Sequence, residues 1–242
     1  MIHNCNCLNG SFWIFKIELN AMILQSSFFR HFLIGILPFI FLCPANTDIH
    51  AASADPVLSM IQEKYGKLES ITADFKQSFA SKALKTEFAE DGKLFIKMPG
   101  QMRWEYGKPE EKIAICNGTD SWLYMKEDNL VIKGSIGDSD SSKALLSLLT
   151  GTAEIKKYFS GEIVSDGEDV IVIDIRMKVE NEEFDHLVVT VDRKSRMILK
   201  IEAFDLLGNT MTYSFRNIRE NVKIKPGIFQ FAIPPGARIK FQ

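Results

Sequence analysis

The chain has 242 residues, of which 46% are hydrophobic and 25% are charged, and its formal net charge at pH 7 is −2. This near-neutral balance gives no electrostatic reason to expect binding to nucleic acid or to an anionic membrane surface. The length allows one or two domains. The N-terminal residues, described next, are not expected to belong to the folded part of the chain.

The N-terminal residues are interpreted as a cleavable export signal. Residues 32–43, FLIGILPFIFLC, form an apolar run of 12 residues, whereas a helix that spans a bilayer needs about 20. The motif Ala52-Ser53-Ala54 follows and fits the A-x-A pattern of signal-peptide cleavage. We therefore predict that residues 1–54 are a signal peptide and that residues 55–242 form one mature domain.

Alternatives to this interpretation remain at the N-terminus. Residues 32–43 could anchor the chain in a membrane, whereas a lipoprotein attached at Cys43 is disfavoured because bulky Leu42 precedes that cysteine. A signal of 54 residues is longer than the usual ~15–30, and a signal that started at Met22 would have 33. Residues 1–21 are therefore suspected to result from an upstream mis-start.

The mature chain is predicted to begin with a helix and a strand. Asp55 can cap a helix whose first residue is Pro56, and apolar residues recur at helical spacing up to Leu68. Residues 70–79, SITADFKQSF, alternate between apolar and polar, which predicts a strand with one buried face and one solvated face. The expected buried face consists of Ile71, Ala73, Phe75 and Phe79.

The rest of the chain is predicted to form short strands, giving about eleven strands in all, as in an antiparallel sandwich or barrel. Turn signals separate these strands at Asp91-Gly92, Pro99-Gly100, residues 107–109 and Asn117-Gly118. The last predicted strand is GIFQFAI, residues 227–233.

One mid-chain interval, residues 140–159, departs from the strand pattern. Its apolar residues Ala144, Leu145, Leu148 and Leu149 have helical spacing, and Gly151 ends the predicted helix. Asp140 or Ser141 could cap its start, and a second short helical piece follows at residues 155–159. The sequence thus predicts a mainly β domain that carries an N-terminal helix and a helical insertion.

The mature sequence contains few residues that could carry out chemistry. His186 is its only histidine and Cys116 its only cysteine, so it offers no His/Cys set for zinc. Glycine-rich phosphate-binding motifs and a G-x-S-x-G motif are also absent from the sequence. We therefore predict no catalytic residues, no metal and no cofactor. A secreted hydrolase is kept as an alternative, and it would need two carboxylates with shifted pKa values inside a cavity.

Four segments together carry the pattern of a known family. They are LESITADFKQSF (68–79), GKLFIKMPGQMRWEYGKPEEKIAICNGTDSWLYM (92–125), ALLSLL (144–149) and GIFQFAIPPGARI (227–239). In this order they resemble the LolA-type family of outer-membrane lipoprotein carriers of the Gram-negative periplasm, over most of residues 68–239. The spacing of K-x-P, W-x-Y and the second W-x-Y is fairly specific, and the remainder is generic β sequence.

This resemblance implies a single strongly curved, incomplete antiparallel β-barrel whose helices close its open face as a lid over a hydrophobic cavity. In the family, the cavity holds the acyl chains of lipoproteins. The cargo comes from an inner-membrane ABC-type release complex and is passed to an outer-membrane receptor. The chain is accordingly expected to be a soluble, monomeric periplasmic chaperone that binds no nucleic acid. A lipid-sensing or other amphiphile-binding module on the same fold is the alternative.

The predicted cavity and lid use large apolar side chains. Aromatic rings provide much contact area with few rotamers to lose, and Met adapts to chains of variable shape. Each of these residues could instead be part of an ordinary core. The predicted acyl-chain contacts are Phe75, Leu94, Ile96, Met98, Met102, Trp104, Tyr106, Trp122, Tyr124, Leu145, Leu148 and Leu149.

Two positions depart from the family pattern. Family members commonly have an Arg before the Pro of the K-x-P motif, where it hydrogen-bonds the closed lid, and Met98 occupies that position here. Lys97 could replace the Arg only if the strand faced the other way, because neighbouring residues on a strand point to opposite faces. Met102 stands where an aromatic residue is usual. These departures put a lid latched by Arg in doubt.

Overall fold

The computed structural model describes residues 52–83, 85–135, 140–151, 155–179, 184–225 and 227–241. These residues form three helices and twelve strands. The helices are α1 (Asp55–Tyr65), α2 (Asp140–Thr150) and α3 (Ile155–Tyr158). The strands are β1 (Ser70–Ser81), β2 (Thr86–Lys97), β3 (Gln101–Tyr106), β4 (Lys112–Cys116), β5 (Asp120–Met125), β6 (Leu130–Ser135), β7 (Phe159–Asp166), β8 (Val170–Met177), β9 (Phe184–Asp192), β10 (Ile198–Asp205), β11 (Thr210–Glu220) and β12 (Arg238–Phe241).

All twelve strands belong to one sheet, in the order β12-β6-β5-β4-β3-β2-β1-β11-β10-β9-β8-β7. Neighbouring strands are antiparallel except β12, which runs parallel to β6. β7 and β12 stand at opposite ends of this order, so the curved sheet is open rather than a closed barrel. The predicted single, incomplete, mainly antiparallel barrel is confirmed.

The three helices pack against one face of the sheet, which we call the inner face. α1 contributes the apolar residues whose helical spacing predicted its buried side, namely Val57, Leu58, Ile61 and Tyr65. Ala144, Leu145, Leu148 and Leu149 of α2 belong to the same core as the inward residues of the sheet. Helix boundaries differ slightly from prediction, since Asp55 is the first residue of α1 and Ala54 takes the N-cap position without a side-chain cap.

The predicted turn at Asp91-Gly92 is wrong, because β2 runs through both residues. Gly92 lies between Phe75 of β1 and Tyr106 of β3 in the sheet register. A Cβ atom on Gly92 would come within 2.8 Å of the Phe75 ring and 2.1 Å of the Glu105 carbonyl oxygen. The glycine therefore permits close packing of a ring on the backbone, as glycines inside strands often do, rather than a reversal of the chain.

The predicted turn at Asn117-Gly118 and both helical pieces predicted within residues 140–159 are observed, whereas residues 1–51, which hold most of the predicted signal peptide, lie outside the described residues. The Asn117-Gly118 signal lies between β4 and β5, where the amide of Asn117 donates to the Asp120 carbonyl at 3.1 Å. Gly118 has a φ of +102°, which glycine adopts without steric cost. α2 ends at Thr150, and the next residue, Gly151, has a φ of +63°. α3 follows at Ile155–Tyr158, so both predicted helical pieces are present.

The predicted strand at residues 227–233 is also wrong. After β11 the chain leaves the sheet, and residues 221–225 and 227–237, here called the C-terminal segment, contain no strand. Arg103 donates to the Ile228 carbonyl at 2.9 Å, and Phe229 is buried. Because Arg103 alternates with the inward residues of β3, this segment covers the outer face of the sheet.

Residues 52–54 pair with the edge of β7. The amide of Ala54 donates to the Gly161 carbonyl at 2.9 Å, and the amide of Ile163 donates to the Ala52 carbonyl at 2.7 Å. Ala54 is fully buried. Cleavage after Ala54, which stays a prediction, would remove both of these hydrogen bonds.

This pairing has a measurable consequence for the mature form. We expect a chain that begins at Asp55 to unfold with a free energy about 1–3 kcal/mol lower than a chain that begins at Ala52, because two backbone hydrogen bonds are lost. Urea denaturation of both forms measures the difference, provided that their m-values agree. Equal urea midpoints for the two chains would mean that the pairing of residues 52–54 with β7 contributes nothing to stability. N-terminal sequencing of the exported protein identifies the natural start.

Candidate ligand-binding interior

The inner face is built by the two-residue period of adjacent strands. Leu94 of β2 lies opposite Ala73 of β1 and opposite Trp104 of β3, so all three side chains share one face. Nine of the predicted contact residues are buried in this common core: Phe75, Leu94, Ile96, Met102, Trp104, Tyr106, Leu145, Leu148 and Leu149. Met98 is partly buried and packs against it. The structure thus brings together residues from three strands and from α2.

Aromatic rings form the centre of the inner face. The Phe75 ring meets Trp104 edge-on with centroids 4.9 Å apart, and Tyr106 edge-on at 5.0 Å. Trp104 also meets Tyr213 of β11 at 5.4 Å. Edge-to-face pairs at these distances add to the stabilisation that burial provides. Tyr213 and its neighbour Phe215 were missed as site residues, although their alternation in TMTYSFRNI could have identified them.

The inner face also carries polar groups next to the aromatic centre. The Tyr106 hydroxyl donates to Oε1 of Gln77 at 2.7 Å, and both residues are buried. Lys112 forms an ion pair with Glu90 at 2.6 Å, and its Nζ lies 4.5 Å from the centre of the Tyr106 ring. The interior is therefore apolar with a polar border.

Trp122 and Tyr124 do not lie on the inner face. Trp104 pairs with Ala114 of β4, and Ala114 pairs with Leu123 of β5, so Leu123 shares the face of Trp104. The neighbours of Leu123 consequently point outward, where the C-terminal segment places Phe231 6.0 Å from Trp122 and 6.1 Å from Tyr124. Their assignment to the same cavity as Trp104 is corrected on this ground.

A small cavity lies between the helices and the inner face of the sheet. Its volume is about 20 Å³, and it is lined by residues that include Ile71, Leu94, Ile96, Leu149 and Ile198. That volume is enough for about one water molecule. This cavity is therefore too small for an acyl chain.

α1 is fixed to the sheet at its C-terminal end. The amide of Ile198 in β10 donates to the Tyr65 hydroxyl oxygen at 3.1 Å, and burial raises the pKa of Tyr65 above its ordinary value. Lys64 forms an ion pair with Glu220 of β11 at 2.7 Å. α2 buries Ala144, Leu145, Leu148 and Leu149 together with the polar residues Ser141, Ser147 and Thr150.

Met98 lies where the ends of both helices meet the sheet. It borders a cavity of about 500 Å³ that is also lined by Tyr65, Leu68, Pro99 and Gly151. The amide of Met98 donates to the Glu69 carbonyl at 3.0 Å. Lys97 is exposed, as expected for the neighbour of an inward-facing strand residue. A side chain at position 98 is therefore well placed to contact the last turn of α2.

His186 and Cys116, the residues considered above for catalysis or metal binding, have surroundings typical of structural residues. His186 lies 2.8 Å from a carboxylate oxygen of Asp185 and stacks on Phe204 with centroids 4.5 Å apart. Hydrogen bonds from His186 and Arg176 hold the pKa of Asp185 below its ordinary value. Burial raises the pKa of the Cys116 thiol to about 11, which suits a packed rather than a reactive cysteine.

Several carboxylates at the surface also have lowered pKa values. Lys67 lowers the pKa of Glu63, Asn217 and Lys93 lower that of Asp74, and Lys126 lowers that of Glu111. A carboxyl group that acts as a general acid needs a raised pKa instead. These three carboxylates give no support to the hydrolase alternative.

Within the described residues, no group of three or more His, Cys, Asp or Glu side chains is arranged to hold a metal ion. None of the helices in the described part of the chain is long and apolar enough to cross a bilayer.

Comparison with known proteins gives consistent matches. Residues 66–232 match the family model described as outer membrane lipoprotein carrier protein LolA. An outer-membrane lipoprotein carrier protein of Chromobacterium violaceum is 26% identical over 171 residues, which cover 71% of this chain and 81% of that protein. One from Psychromonas ingrahamii is 27% identical over 195 residues, or 79% of this chain and 91% of that protein.

A solved structure shows the same fold. The crystal structure of an uncharacterized conserved protein from Thermus thermophilus superposes with a TM-score of 0.50 at 11% sequence identity. The superposition covers 78% of this chain and 99% of that one. At this identity the likeness concerns the fold alone.

Proposed function

Because the chain belongs to the LolA family of outer membrane lipoprotein carrier proteins, we propose that it is a periplasmic chaperone that binds the acyl chains of lipoproteins and carries them from the inner to the outer membrane. The observation that supports this most is the inner face, where aromatic and aliphatic side chains of β1, β2, β3 and β11 lie under apolar helices. Its proposed partners are an inner-membrane ABC-type release complex and an outer-membrane receptor.

The free energy of exposing acyl chains to water explains why a carrier needs a large apolar surface. Each buried CH₂ group contributes roughly 0.8 kcal/mol. A triacylated lipoprotein carries on the order of 40 such groups, so exposing them to water would cost on the order of 30 kcal/mol. A carrier must shield most of the acyl-chain surface from water, and it must also be able to release the cargo. A core whose own leucines are replaced by acyl chains meets both needs, because one apolar contact is exchanged for another.

The helices determine how this exchange can occur. The cavity beside Leu149 has a volume of about 20 Å³, which is too small for an acyl chain. In the proposed mechanism α2 moves away from the inner face, and α1 stays attached through Tyr65 and Lys64. Ala144, Leu145, Leu148 and Leu149 then act as a lid that occupies the binding surface in the empty protein.

Mass spectrometry of what co-purifies with the exported protein tests this function. We expect lipoproteins with their acyl chains attached, in amounts that fall when the inner face is blocked by Ala73→Trp. Lys156→Trp is the matched control, because Lys156 is exposed and the added ring should not affect cargo. Free phospholipid instead of lipoprotein would indicate another amphiphile carrier, and the absence of any hydrophobic cargo would contradict the proposal.

A further inference from the structure

The indole nitrogen of Trp104 is a buried donor without an acceptor. Trp104 is 3% exposed, and its Nε1–H has no hydrogen-bond partner in the part of the chain that the structure describes. A buried indole N–H usually finds an acceptor, since leaving it unpaired disfavours the folded state. An unpaired donor in a folded protein therefore calls for an explanation.

The packing around Trp104 does not require a donor. Its ring contacts Phe75 at 4.9 Å, Tyr213 at 5.4 Å and Phe215 at 6.1 Å between centroids. A Phe side chain could make edge contacts of the same kind without a polar atom. The nearby Oε1 of Gln77 accepts from Tyr106 instead. The donor thus lies in the aromatic centre of the inner face, where the proposed cargo would be bound.

We propose that Nε1–H of Trp104 donates a hydrogen bond to a carbonyl oxygen of the acyl groups of the cargo. This inference rests on the proposed carrier function. An acyl chain differs from a plain alkyl chain in the carbonyl at its end, and that carbonyl accepts hydrogen bonds but donates none. A donor in the aromatic centre of the inner face is its complement, and it would select ester- or amide-linked chains over ether-linked chains.

The buried position makes this hydrogen bond effective. A donor at the surface exchanges a bond to water for a bond to ligand, so its net contribution is small. The Trp104 donor is already removed from water in the empty protein, because only 3% of the residue is exposed. Ligand binding therefore satisfies a group that is otherwise unpaired, and no compensating hydrogen bond to water is lost.

Two probes that differ only in the carbonyl test the proposal. A diacylglycerol and the dialkyl ether with the same chains are compared by displacement of a fluorescent fatty acid from the exported protein. We expect the ester to bind about three- to tenfold more tightly than the ether. Trp104→Phe should bind both probes equally well. Trp122→Phe is the matched control, and it should keep the preference because Trp122 lies on the outer face.

A measurement on the unaltered protein makes the test independent of how Trp104→Phe folds. In ¹⁵N–¹H spectra the indole proton of Trp104 should move downfield when the diacylglycerol is added and much less when the ether is added. The Trp122 signal should respond to neither. Equal responses of Trp104 to both probes, or equal affinities for them, would overturn the carbonyl assignment while leaving the carrier function in place. Failure of both probes to bind would overturn both.

Discussion

Leu148→Glu is expected to release α2 from the inner face and leave the sheet folded. Leu148 is 0% exposed, and a carboxylate in its place would be buried without a partner. If α2 is a lid, the helix moves into solvent and the cost is limited to its lost packing, about 3–5 kcal/mol. A hydrophobic dye should then bind the uncovered inner face more strongly, and retention of cargo should be lost. Dye fluorescence and the cooperativity of urea unfolding measure the two effects.

Leu187→Glu is the matched control for this prediction. Leu187 is similarly buried but belongs to β9, where it is paired with Ile175 of β8 and Ala203 of β10. A central strand cannot leave the sheet to expose its side chain, so this variant should fail to fold. If Leu148→Glu behaves in the same way, α2 is fixed core and the lid mechanism is wrong.

Met98→Arg is expected to hold the lid closed. The last carbonyl groups of a helix lack partners within the helix, and a cation near that end is favourable. Position 98 borders the same cavity as Thr150 and Gly151 at the end of α2, and we expect an Arg there to reach these carbonyl groups. Charge-assisted hydrogen bonds of about 1.5–3 kcal/mol would slow uptake of a fluorescent hydrophobic probe roughly tenfold or more. Stopped-flow fluorescence measures the rate.

Met98→Leu separates the effect of charge from that of packing. It retains an apolar side chain of similar volume, and such exchanges usually cost less than about 1.5 kcal/mol. The uptake rate of Met98→Leu should therefore be close to that of the unaltered protein. Identical kinetics for the Arg and Leu variants would show that position 98 does not control the helix, and that the Met at this position has no consequence for the lid.

The features that the sequence predicted correctly depend on local patterns. The alternation in SITADFKQSF identified the inward face of β1, including Phe75, because side chains on a strand alternate regardless of what lies beside them. Helical spacing identified the buried side of α1. The Asn117-Gly118 signal identified a turn because that backbone geometry depends on the residues of the turn themselves.

The features that could not be predicted from the sequence depend on contacts between distant parts of the chain. Asp91-Gly92 has the composition of a turn, but the ring of Phe75 and the backbone of β3 need a residue without a side chain there. The outward direction of Trp122 follows from the register of β3, β4 and β5 together. The alternation in GIFQFAI fits a strand, yet these residues cover the outer face, where Phe229 is buried and the Phe231 ring lies 6.0 Å from that of Trp122.

The openness of the sheet has a consequence for self-association. An open sheet presents two edge strands, and unpaired edges allow copies of a protein to join strand to strand. Residues 52–54 pair with part of the β7 edge, and β12 covers the β6 edge with four residues that include Arg238 and Lys240. Short edge strands and lysines both oppose further pairing. In a chain that keeps residues 52–54, both segments therefore oppose strand-to-strand association, whereas a chain that begins at Asp55 would present the β7 edge unpaired and would depend on β12 alone for this protection.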